Sequence, residues 1–116
     1  RIMVPVLPSR LTQTAPPRPV NWRGRSGRYY ALRPVRLDAF SLHDDELYLV
    51  ARGSLVLWAG SARDVIGDTQ SRARFRLALT CADRVFEVEA GEDDVERMTI
   101  VWDLEGATPV AGLNAA

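Results

Sequence analysis

Six of the seven prolines fall within the first 34 residues. Each fixes φ near about −65°, removes a backbone donor and disfavours helix in the residue before it. The run Thr14-Ala15-Pro16-Pro17-Arg18-Pro19 is therefore expected to be extended or polyproline II. Residues 1–27 read as an extended Pro/Arg-rich arm, closing in Trp22-Arg23-Gly24-Arg25-Ser26-Gly27-Arg28, a basic stretch with one aromatic anchor. What remains of the 116 residues is enough for one small core.

Charge divides along the same line. Residues 1–37 carry eight arginines and no acid, while residues 38–116 carry seven arginines and all fifteen acids, so a segment of +8 precedes one of −8. Such asymmetry marks a basic arm that seeks an acidic surface, whether a partner's, a nucleic acid's or the chain's own. Lysine is absent, so every cation is a guanidinium suited to bidentate pairing with carboxylate or phosphate.

From Arg28 the pattern is globular. Residues 29–37 suit a strand broken at Pro34 and hence near an edge. Residues 46–51 and 54–59 flank Arg52-Gly53 and read as a hairpin. A short helical turn is expected over residues 62–66. Residues 68–82 fit a helix capped by Asp68, with Phe75, Ala78, Leu79 and Ala82 on one face, or a strand alternating Phe75, Leu77, Leu79 and Cys81 against Arg72, Arg74 and Arg76. Helix is preferred, because three arginines and three alanines make a poor strand. Residues 84–90 read as a strand, Gly91-Glu92-Asp93-Asp94 as a turn, and residues 97–104 as a second strand rich in β-branched and aromatic residues. The expected architecture is α+β: a single domain over residues 28–106 with about four or five strands and one main helix, behind the arm and before a weakly patterned tail at 107–116. Trp58 and Trp102 are its expected core anchors, and Cys81 an expected small buried hydrophobe.

No apolar run is long enough to span a membrane, and prolines break the N-terminal stretch before a secretory h-region forms. One cysteine allows no internal disulfide and, with one histidine, no zinc or iron–sulfur centre. These features point to a soluble, cytoplasmic protein with no membrane partner, and imply no metal or cofactor. His43-Asp44-Asp45-Glu46 reads as a solvated turn entering a strand, and the glycines are scattered as turn glycines are, with no phosphate loop.

Leu47-Tyr48 and Trp58-Ala59-Gly60 resemble a degenerate GIY-YIG nuclease signature, in which two tyrosines on adjacent strands precede a helix carrying an arginine. The resemblance makes Tyr48 the first tyrosine and Gly60 the motif glycine, with Trp58 replacing the second tyrosine. It implies Arg72 or Arg63 as the phosphate-facing arginine, Glu96 or Glu105 as the metal carboxylate, and Asn114 as the late asparagine. Trp58 has no hydroxyl, which leaves one proton-transfer role of that family unfilled.

The residues expected to bind are therefore Trp22, Arg23, Arg25, Arg28, Arg72, Arg74 and Arg76, guanidiniums with an aromatic among them. The leading expectation is a non-catalytic interaction or assembly module. Its arm binds an acidic surface of a protein partner or of another copy in a homo-oligomer, for which residues 83–105, with nine acids and two arginines, are a suitable recipient. Nucleic acid is the alternative, as a binding domain or a GIY-YIG-like nuclease using Tyr48, Arg72 and Glu96. It ranks second because a chain of zero net charge lacks an overall basic footprint.

Overall fold

The computed structural model describes residues 18–43 and 46–110; residues 1–17, 44, 45 and 111–116, with most of the arm and tail, lie outside the described residues. The fold is α+β, built on one six-stranded antiparallel sheet: β1 (Val20–Arg23), β2 (Tyr29–Val35), β3 (Glu46–Arg52), β4 (Leu55–Ser61), β5 (Arg84–Glu89) and β6 (Thr108–Pro109). Their order across the sheet is β4-β3-β5-β2-β1-β6. Among the described residues three α-helices pack on it, α1 (Ala62–Gly67), α2 (Thr69–Cys81) and α3 (Asp94–Glu105), besides a 3-10 turn at Leu37–Ala39.

Strand alternation sorts the core into two layers. Leu47, Leu49 and Ala51 of β3 join Trp22, Leu32 and Phe86 under α3, which contributes Ile100 and Leu104. Tyr48 and Val50 point the other way, meeting Trp58 together with Phe75 and Ala78 of α2. β3 is thus buried on both faces. α2 and the connector around Phe40 cover only the β4-β3-β5 half, so Arg23, Tyr29, Ala31 and Arg33 on the far side of β1 and β2 stay exposed.

The β3–β4 hairpin turns at Gly53-Ser54, where Gly53 takes φ +59°, a left-handed value costly for any residue with a Cβ. The Asp83 carboxylate accepts from the Gly53 amide at 2.9 Å and holds the turn. β2 is interior in the sheet, but β1 stops at Val20 opposite Leu32, so Pro34 lies where one flank of β2 is open. Ser61 then starts α1 through a capping box with Asp64, and Arg97 of α3 reaches the same Asp64 at 3.2 Å. Ser61→Ala is expected to lower stability by about 1 kcal/mol, read as a shift in the urea midpoint at unchanged slope. No shift would mean that the Asp64 side chain caps α1 without help.

Four expectations are corrected. The sheet has six strands, more than the four or five expected, because residues 20–23 at the end of the arm form β1 and residues 108–109 of the tail form β6. Residues 97–104 are helix, not strand: Asp93 accepts from the Glu96 amide at 2.8 Å and Glu96 reaches back to the Glu92 amide at 2.8 Å, a reciprocal cap that starts α3. Ile100 and Leu104, four apart, then face the sheet, and tertiary burial outweighs the strand propensity of Thr-Ile-Val-Trp. Trp102 is therefore on the outer side of α3, half exposed, while Trp58 is buried as expected and Trp22 is sealed completely. Cys81, at the last turn of α2, is exposed rather than buried.

Candidate interaction surface

The turn between β1 and β2 is fastened to the C-terminal end of α3 by one buried carboxylate. Asp103 accepts from the Ser26 amide at 2.6 Å, the Ser26 hydroxyl at 2.7 Å and the Tyr30 hydroxyl at 2.7 Å. Its backbone carbonyl accepts from the Arg25 amide at 3.0 Å. Gly24 permits this approach, since a Cβ there would stand 2.5 Å from the Asp103 carboxyl. Burial works to raise the Asp103 pKa, but the donors of Ser26 and Tyr30 and the nearby charge of Arg28 outweigh it and hold the carboxyl below its ordinary range. Burial, then the bond to Asp103, pushes the Tyr30 phenol up to about 12.

So braced, the turn presents its arginines in set positions. Arg25 donates through Nε to the Trp102 carbonyl at 3.2 Å and lies 4.7 Å from the centre of the Trp102 ring; Arg28 lies 4.8 Å over Tyr30. Arg23 is exposed on the sheet, paired across the ladder with Tyr29, itself 59% exposed. Among the described residues no carboxylate forms an ion pair with Arg23, Arg25 or Arg28. Trp22, expected to anchor binding beside them, points into the core instead.

Helix geometry divides the other arginine group. Arg72 and Arg76 are four apart on one side of α2, while Arg74 projects elsewhere and lines a cleft of about 270 Å³ between α2 and α3, with Trp58, Asp68, Arg97, Met98 and Trp102. Trp102 thus links the two groups, carrying Arg25 on its ring and sharing a cleft with Arg74. It heads a row with Val95 and Met98 along the outer face of α3, which the strand reading of residues 97–104 concealed. Spacings of three and four, read with the Asp93–Glu96 cap as a helix, would have found the row. Asp103 carried no comparable signal, since its partners lie 73 and 77 residues away in the chain.

Tyr48 is fully buried, its hydroxyl accepting from the His43 amide at 2.8 Å, and burial raises its pKa. It faces the α2 side of the sheet, as α2 itself brings Arg72, whereas Glu96 caps α3 on the opposite side. The fold therefore does not gather Tyr48, Arg72 and Glu96 on one surface. Asp44, Asp45 and Asn114 lie outside the described residues, and among those described no three His, Cys, Asp or Glu side chains group to hold a metal ion. Nor is any helix among them long and apolar enough to cross a membrane.

Comparison of the chain with family models, with curated proteins and with solved structures finds no match in any of the three.

Proposed function

We propose that this chain is a non-catalytic interaction and assembly module whose basic Pro/Arg-rich arm binds an acidic surface on a neighbouring subunit or partner. The observation that carries the reading is the state of its guanidiniums. Among the described residues Arg23, Arg25 and Arg28 are exposed and form no ion pair with a carboxylate, Arg28 acting on the buried Asp103 only through its nearby charge, although the chain holds as many acids as bases. The folded body thus leaves this basic segment free to pair outside itself. The fully buried Trp22 supports the reading from another side, since it ties the described end of the arm to the sheet and gives the exposed Arg23 and Arg25 a rigid base.

The test is removal of residues 1–17, alone and combined with glutamine at Arg23, Arg25 and Arg28, the arginines that carry the reading. The body should stay folded, because β1 begins at Val20, while binding to a polyglutamate peptide and any self-association through the arm should weaken. Raising the ionic strength should weaken the full-length protein in the same way, since exposed pairs are screened over a Debye length of about 8 Å at physiological salt. Binding that neither truncation nor salt reduces would defeat the reading.

A nucleic-acid partner is the second reading, favoured by exposed Tyr29 and Trp102 beside the three exposed arginines, Arg25 lying on the Trp102 ring. A single-stranded oligonucleotide would then outcompete polyglutamate, with a log–log salt slope of about −0.7 per phosphate contacted. Replacing Arg23, Arg25 and Arg28 by glutamine should flatten that slope. A slope unchanged by the triple replacement would exclude this surface as its source.

A further inference from the structure

We propose that the outer face of α3 is a second interface, on which two copies of this chain pair antiparallel about a two-fold axis beside Met98. The inference goes beyond the proposed function: it shares Arg25 with that reading but does not rest on binding by residues 1–17.

The middle of an exposed helix face ordinarily carries polar side chains. On α3 it carries Val95, Met98 and Trp102, which are 75%, 64% and 50% exposed and border a shallow depression with Thr99. Their spacing of three and four residues is that of a helix-packing seam. Two further observations select a second copy as the occupant. The first is size. The small member, Val95, stands at the N-terminal end and the large one, Trp102, at the C-terminal end, so an antiparallel mate sets tryptophan against valine twice. The flexible Met98 meets its own counterpart at the axis, where an adaptable side chain packs best. A parallel mate would set tryptophan on tryptophan and leave a gap at the valines.

The second is charge. Glu92, Asp93, Asp94 and Glu96 lie at the start of α3, an acidic surplus there even though Arg63 and Arg97 pair with Asp94 at 2.8 and 3.7 Å, and Arg25 is held at its end by the Trp102 carbonyl and ring. Over twelve residues these poles stand about 18 Å apart. Antiparallel pairing brings the Arg25 end of each copy to the acidic end of the other, and a two-fold axis makes the contact twice. One helix and two short loops are less than the roughly 800 Å² per partner of a standard interface. The pair is therefore expected to dissociate on dilution and to weaken in salt.

The experiment uses the full chain with Cys81→Ser, since Cys81 is exposed and would confuse the result. Two single cysteines are compared, Met98→Cys and Val95→Cys, each oxidised by glutathione disulfide, which is reduced to glutathione as the interchain bond forms. At the axis, residue 98 meets its counterpart, whereas the two copies of residue 95 lie about 9 Å apart along the helices. A disulfide needs Cα atoms within about 7 Å, so Met98→Cys is expected to yield covalent dimer at least about tenfold faster than Val95→Cys. Adding Trp102→Ala should slow it toward the Val95→Cys rate. Arg25→Glu should slow it as well, and Glu92→Arg in the same chain should restore it. All these side chains are exposed, and circular dichroism checks that each variant is folded.

Equal rates at positions 95 and 98 would overturn the proposal, as would a protein that sediments as a monomer at the highest concentrations reached. Removing residues 1–17 should leave the Met98→Cys rate unchanged even if it abolishes arm-mediated binding. Cross-linking that appears only after this removal would mean that the chain's own arm covers the face, and the proposal fails.

Discussion

Trp22→Ala is expected to destabilise the protein by about 3 to 5 kcal/mol, the range for removing a fully buried aromatic. Trp22 has no exposed surface and meets Phe86 edge-on at 5.6 Å in the layer beneath α3. Its indole Nε1 finds no hydrogen-bond partner among the described residues. Trp22→Phe should therefore be milder than the alanine variant, because it removes an unsatisfied donor along with part of the volume. Trp102→Ala, at a half-exposed position, should stay within about 1 kcal/mol of the parent. Urea midpoints of the three variants at a common slope would check the ranking. A Trp102 loss larger than the Trp22 loss would mean that α3 sits against the sheet with a different face inward.

The second large effect is expected at Asp103. Asp103→Ala leaves the Ser26 amide and hydroxyl and the Tyr30 hydroxyl without their acceptor, and hydrogen bonds to a buried charge contribute about 1.5 to 3 kcal/mol. A total loss of about 3 kcal/mol is expected, since the freed turn can recover part of its bonding from water. The pH dependence has a definite sign on each side. The folded pKa of Asp103 is depressed, so its stabilisation is complete above the unfolded carboxyl value of about 3.9 and is lost as pH falls through the folded value. Tyr30 is the reverse. Its folded pKa is raised to about 12, so its share is complete below the unfolded phenol value near 10 and is lost as pH rises toward 12. The parent should lose stability more steeply than Asp103→Ala at both extremes. Parallel pH profiles for the two proteins would show that Asp103 is not the group responsible.

How far the fold and its surface were legible depended on how far apart in the chain the deciding groups lie. The β3–β4 hairpin was readable because two β-rich runs flanked a glycine, and α2 because Asp68 stands one residue before a run of good helix formers. In both, the determining contacts are within a few residues, and a turn or cap is a local event. The same holds for the arginine inventory and the charge division, which need no fold at all.

Where a residue's surroundings come from distant segments, the pattern misled. Thr99-Ile100-Val101-Trp102 has the composition of a strand, yet a sheet already six strands wide left its Trp22 layer uncovered, and a helix placing Ile100 and Leu104 inward covers it. That choice sent Trp102 outward beneath Arg25 and made Trp22, apparently part of a basic arm, a member of the core. Asp103 is the clearest case, because its three donors sit on the β1–β2 turn and on β2, and nothing near it in sequence marks it for burial. Periodicity, caps and turn residues by themselves determined which segments could be strand or helix, through interactions closed within one or two turns of chain. Which face of each was buried, which guanidiniums stayed unpaired, and which tryptophan met water were decided only when segments some 75 residues apart came into contact, because burial is a property of the covering element as much as of the residue covered.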